Sequence, residues 1–177
     1  MKRIIFLLTY LAMVILPSYA QELLEVDTVI ALPGVPKDVA FVKASEWIAS
    51  KYNSANDVIQ LSDKEAGVIL CKGMFSHEYG KSMTYGNLWG NIHYTLTTKF
   101  KDEKIRITVK DFTHETQLPG NMISVSLGPV NTGQHPQWGK KKRVRIYWED
   151  LQSSCKTYSF NIISGLQEFL TAADDNW

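Results

Sequence analysis

The chain has 177 residues, 45% of them hydrophobic and 21% charged, which is ordinary globular usage and excludes a disordered tail, a collagen-like repeat and a multi-span membrane protein. Nineteen Lys+Arg against 18 Asp+Glu give a net charge of +1, so no bulk field favours nucleic acid. Two cysteines are too few for a disulfide-dense scaffold or a self-sufficient structural zinc site.

Lys2 and Arg3 are followed by an apolar run, Ile4 to Leu16, broken only by Thr9 and Tyr10. Pro17 ends any helix there, and Ser18-Tyr19-Ala20 places small residues three before and immediately before a cut ahead of Gln21. This is the layout of a secretory signal peptide over residues 1–20. A membrane anchor needs roughly 17–25 apolar residues, and this run is shorter. The expected product is a periplasmic or secreted single domain, residues 21–177, with no transmembrane segment after cleavage. Removing Lys2 and Arg3 leaves 17 basic against 18 acidic residues.

Periodicity then assigns the elements in chain order. Leu23 to Ile30 alternates imperfectly and reads as a strand closed by Pro33-Gly34. Pro36 suits the first turn of a helix, where its missing N–H has no intrahelical partner. Phe41, Ala44, Ile48 and Tyr52, flanked by Ala40 and Trp47, form one apolar stripe on a helix over 38–52. Trp47 is therefore expected in the core. Asp57 to Leu61 is expected as a short strand, 62–67 as a polar turn, and Gly67 to Phe75 as a long apolar strand.

Ile92, Tyr94, Leu96, Thr98 and Phe100 alternate with His93, Thr95, Thr97 and Lys99; Ile105, Ile107 and Val109 alternate with Lys104, Arg106, Thr108 and Lys110. Around the Lys101-Asp102-Glu103 turn this predicts an antiparallel hairpin with one apolar face and one polar, basic face. Residues 113–143 form a long irregular stretch. Leu151, Cys155, Tyr158, Ile162, Leu166 and Phe169 make the stripe of a final helix, with Glu149 and Asp150 set against its N-terminal dipole. The expectation is α+β: strand, helix, four strands, helix, with both helices on one face of a five-stranded antiparallel sheet.

The segment Pro36 to Gly73 resembles domain of unknown function 4468, a family of exported bacterial domains with a TATA-binding-protein-like fold. The Lys37-Asp38 helix start, Glu46-Trp47, the run SANDVIQLSDKEAG and the Lys72-Gly73 ending carry the resemblance. Pro36 stands where the family usually has a polar cap. The resemblance implies the same fold order and brings no activity, catalytic residue or cofactor.

Enzyme motifs are missing. There is no GxSxG elbow, and His77-Glu78 and His114-Glu115 lack the HExxH spacing of a zinc-protease helix. No catalytic residue, metal ligand set or cofactor is expected. The densest charge, Lys140-Lys141-Lys142-Arg143 with Arg145, reads as a solvated loop or an anionic contact rather than a nucleic-acid site.

Strand direction gives the sharpest expectation. If the third, fourth and fifth strands run up, down and up, His77, His93 and His114 share one rim, with Glu78 and Glu115 beside them. Tyr85, Trp89 and Trp138 lie on the loops leaving that rim. Imidazoles, carboxylates and aromatics gathered there suit a sugar-like ligand, and less readily a metal. Cys71 and Cys155, each in an apolar stripe, are a possible disulfide. The functional reading is a non-enzymatic binding module for an envelope protein or glycan, and not for nucleic acid. The alternative is a metal- or carboxylate-dependent hydrolase of envelope or dietary polymers.

Overall fold

The computed structural model describes residues 22–52, 54–78, 89–116, 126–133 and 142–172. The chain order is β1 (Val26–Ala31), α1 (Lys37–Lys51), α2 (Ala55–Val58), β2 (Ile59–Asp63), β3 (Val68–His77), β4 (Gly90–Lys101), β5 (Lys104–Glu115), β6 (Gly128–Pro129) and α3 (Lys142–Thr171). All strand pairs are antiparallel, in the order β1-β5-β4-β3-β2, with β6 also on β5. The sheet therefore has six strands rather than five. The extra one is the two-residue β6, too short to leave a periodic signature, and it pairs with Thr113 and His114 beyond the reach of β1. A third, four-residue helix replaces the expected beginning of β2: Val58 N donates to Ser54 O at 3.3 Å, and the strand starts two residues later than Asp57.

One face of the sheet is closed. Ile69 and Cys71 of β3, Ile92, Tyr94, Leu96 and Phe100 of β4, and Ile105, Ile107, Val109 and Phe112 of β5 are buried in one cluster. Ala40, Phe41, Ala44, Trp47 and Ile48 of α1 join it, as do Tyr147, Trp148, Leu151, Cys155, Ile162, Leu166 and Leu170 of α3. Such burial is the dominant favourable term in folding. Trp47 is a core residue, lying 3.5 Å from where a Cβ on Gly165 would stand, so the two helices meet there.

The helix α1 has no side-chain cap of its own, because its N-cap is Pro36. The cap comes from the β4–β5 turn instead: Asp102 Oδ1 accepts from Lys37 N at 2.9 Å, and Glu103 Oε1 accepts from Gly34 N at 3.2 Å. Both acids of the hairpin turn are thus drawn to the helix side, Asp102 meeting an orphan donor of the first helical turn and Glu103 a donor of the loop before it.

The last helix starts at Lys142, nine residues earlier than expected, so Glu149 and Asp150 lie in its interior rather than at its dipole. Residues 142–145 of the basic run are helical; 140 and 141 lie outside the described residues. The longer helix places Tyr147 and Trp148 in the core, where Trp148 Nε1 donates to Gly133 O at 2.9 Å. At its far end Leu170 is buried and Phe169 is exposed, the reverse of the expected stripe.

Candidate functional site

His77, His93 and His114 do share one rim. His77 pairs with Gly90, Met74 with His93, His93 with Thr113 and Ile92 with His114. They do not share one face. His77 follows Cys71 and Phe75 on the helix side and is 5% exposed, whereas His93 lies on the opposite face. Strict alternation after Val109 would turn Asp111 and Thr113 inward. A bulge opposite Tyr94, with Asp111 at φ 58°, inserts one residue and turns Phe112 and His114 inward instead. Aspartate is among the few non-glycine residues that tolerate this conformation.

The two inward imidazoles are separated by Tyr147 of α3. Its ring meets His77 edge-on at 5.3 Å and His114 at 5.9 Å between centroids. His114 Nδ1 accepts from Leu127 N at 3.1 Å, which leaves Nε2 to carry the proton toward Tyr147 Oη at 3.2 Å. His114 is therefore a neutral structural group that ties β5, residue 127 and α3 together. Burial pushes the Tyr147 hydroxyl well above its ordinary value, so it stays protonated. His93 Nε2 lies 3.3 Å from Glu115 Oε2 on the open face.

The Nε2 atoms of His77 and His93 are both buried and, among the described residues, without a hydrogen-bond partner. What sets His77 apart is its place on the helix side, where Nε2 lies 3.3 Å from Asp150 Oδ2 without hydrogen-bond geometry. Burial holds the imidazole below its ordinary 6.5, although Asp150 pulls the other way. A buried polar atom without a partner calls for an explanation. The surroundings supply one. Since β2 pairs with β3 only as far as Cys71, the β3 edge from Lys72 onward has no strand partner among the described residues. Between that edge and α3 lies a groove of about 430 Å³ lined by Ser76, His77 and Glu78 on one side and Asp150, Ser153, Ser154, Thr157 and Asn161 on the other. Phe75 and Tyr158 also line it, stacked at 4.1 Å with their planes 15° apart.

Behind this stacked pair is a tyrosine cluster. Tyr94 Oη lies 2.9 Å from Tyr52 Oη and 3.4 Å from Tyr158 Oη. Gly73 makes room for it: a Cβ there would stand 2.5 Å from Tyr94 Cζ and Oη. Burial raises the Tyr52 hydroxyl to about 12 and Tyr94 further, so both remain neutral hydrogen-bonding groups.

Of the expected site residues, then, His77 and Glu78 line the groove, while His114 is structural and His93 and Glu115 form a pair on the other face. Trp89 lies half-buried just before β4; Tyr85 and Trp138 lie outside the described residues. Cys71 and Cys155 are buried free thiols rather than a disulfide. Burial raises them to about 11 and about 12, which suppresses the thiolate needed for exchange and leaves them to pack as small apolar groups. Among the described residues no three His, Cys, Asp or Glu side chains converge as a metal site.

The α3 half of the groove was not anticipated. Asp150, Ser153, Ser154, Thr157 and Asn161 recur at helical spacing beside Leu151, Cys155, Tyr158 and Ile162, so a polar stripe bordering the apolar one was the available signal.

The described helices include none long and apolar enough to cross a membrane. No curated protein matches the chain. Solved structures similar in fold include the following two. A TBP-like protein from Parabacteroides distasonis ATCC 8503 matches with a TM-score of 0.65 at 12% identity, over 85% of this chain and 94% of that one. A DUF4468 family protein from Bacteroides ovatus ATCC 8483 matches with a TM-score of 0.59 at 13% identity, over 88% and 90%. A family model, "Domain of unknown function (DUF4468) with TBP-like fold", matches residues 27–115, half of the chain and the sheet from β1 to β5 except Val26. With the antiparallel sheet and helices described above, this chain belongs to the DUF4468 family and has its TBP-like fold.

Proposed function

We propose that the protein is an exported binding module whose ligand is a polyhydroxylated, sugar-like molecule held in the groove between β3 and α3. The Nε2 of His77, buried in the groove wall and without a hydrogen bond among the described residues, carries the reading. A ligand hydroxyl is both donor and acceptor, so it satisfies a neutral imidazole in either tautomer. The remaining wall is hydroxyl, amide and carboxylate, and the Phe75–Tyr158 pair supplies an apolar surface of the kind a sugar ring covers. A volume of about 430 Å³ falls within the range of roughly 300–1,000 Å³ of small-ligand pockets. Export rests on the amino-terminal pattern of residues 1–20. No observation favours the hydrolase alternative.

Titration of the purified protein with neutral oligosaccharides tests the groove. The parent binds without releasing cleavage products, and His77→Ala and Asn161→Ala each weaken binding by about tenfold, the size of one good hydrogen bond. Binding unchanged in both variants refutes the groove, and released fragments refute the non-enzymatic reading. Fractionation with amino-terminal sequencing tests export: the mature chain starts at Gln21.

A further inference from the structure

The turn end of the open sheet face differs from everything around it. Lys99 stands directly opposite Arg106, and Lys101 directly opposite Lys104, across the β4–β5 ladder. Like charges in directly opposed positions are destabilising, and here two such pairs are adjacent. The neighbouring acids relieve Arg106 alone of the four. Asp102 and Glu103 are bonded to Lys37 N and Gly34 N on the helix side, and Asp27 is taken by Arg106, which it meets at 2.9 Å, and by Thr108 at 2.6 Å. Among the described residues no ion pair reaches Lys99, Lys101 or Lys104. The chain as a whole is near neutral, so this concentration is local.

These four cations surround a pocket of about 360 Å³ whose wall includes Val29, 60% exposed, and Val68. We propose that this corner binds a phosphate group attached to an apolar body. Carboxylate recognition favours the planar fork of arginine, and the only arginine here is already engaged by Asp27. Ammonium groups act as point charges and suit phosphate from several directions. The valines accept the apolar part of the ligand. The same chemistry belongs to an anionic lipid headgroup and to a soluble phosphate ester, and the site is independent of the β3–α3 groove.

The experiment measures binding of the purified protein to phosphatidylcholine vesicles with and without an equal amount of phosphatidylglycerol, and separately to phenyl phosphate. Binding to the anionic vesicles alone assigns the lipid headgroup; binding to the free ester assigns a soluble ligand. In either arm affinity falls with added salt. Each lysine near an anionic surface is worth roughly a factor of five, so Lys99→Gln/Lys101→Gln/Lys104→Gln loses on the order of a hundredfold. That variant also melts at or above the parent's temperature, because it removes repulsion, and His77→Ala leaves this binding unchanged. No binding in either arm, a triple variant that binds like the parent, or one that melts lower, overturns the proposal.

Discussion

The two faces of the same three strands obey different rules. On the helix side, the buried side chains of β3, β4 and β5 are apolar, except Thr98, which donates to Ile69 O, and His77 and His114. On the other side, Lys72, Lys99, Lys101, Lys104 and Arg106 are exposed, and Thr95, Thr97, Thr108 and Lys110 are half-exposed. The histidines make the contrast sharpest. His114 and His93 sit on neighbouring strands at one rim, yet one is a buried neutral strut and the other half of a surface pair. Residue type and rim position say little about role until the face is known.

The largest test of this division compares consecutive residues of β4. Leu96 is fully buried and Thr97 is not. Leu96→Ala should cost about 2–5 kcal/mol in urea unfolding, and Thr97→Ala less than about 0.5 kcal/mol. Similar losses for both would break the distinction between the faces.

The histidine contrast comes next. His114→Ala removes a partner from Leu127 N and from Tyr147 Oη, and a destabilisation of about 1–3 kcal/mol is expected. His93→Ala should change stability by less than about 0.5 kcal/mol. Thermal melts of the two variants side by side decide the matter.

The hairpin turn connects the faces through its acids. Asp102→Ala deletes the cap that Pro36 does not supply, at about 1 kcal/mol, and helix content should fall in parallel on mild heating.

Acid pH probes the buried side through His77, which faces Asp150 and Tyr147. Its imidazole titrates below 6.5 when folded and near 6.5 when unfolded, so the unfolded chain binds the proton first as pH falls. Its contribution to stability is complete above the unfolded value and declines as pH drops through it. His77→Asn should flatten that part of the stability–pH curve; an unaltered curve would remove His77 from the account.

The smallest effect belongs to the open face. Arg106 makes a two-pronged contact with Asp27 and holds its carboxyl below the ordinary range, but the guanidinium remains largely exposed. Arg106→Ala should barely move the melting temperature, as surface ion pairs contribute little. A large drop would mean that this face is buried by something else.

The elements with a clear period were legible: the α1 stripe, β3, and the β4–β5 hairpin with its greasy and basic faces. So was the shared rim of the three histidines, which follows once the third, fourth and fifth strands alternate in direction. The short β6, the one-turn α2 and the nine extra residues of α3 were not. Each is too short, or too mixed in composition, for a pattern that depends on repetition. The groove was half legible, because His77 and Glu78 stood out while the serines and Asn161 of α3 carry no motif of their own.

What the sequence by itself determined is the local alternation, which assigns each strand residue to one of two sides and each helix one buried stripe. Side-chain direction follows backbone period and needs no distant partner. Only the tertiary structure decided which side His114 takes, because the Asp111 bulge is a property of the β4–β5 register. It also decided that Asp102 caps α1 across 65 residues of chain, and that Tyr147 separates two imidazoles that share a rim. These are contacts between segments remote in sequence, and they form only once the helices have packed onto the sheet.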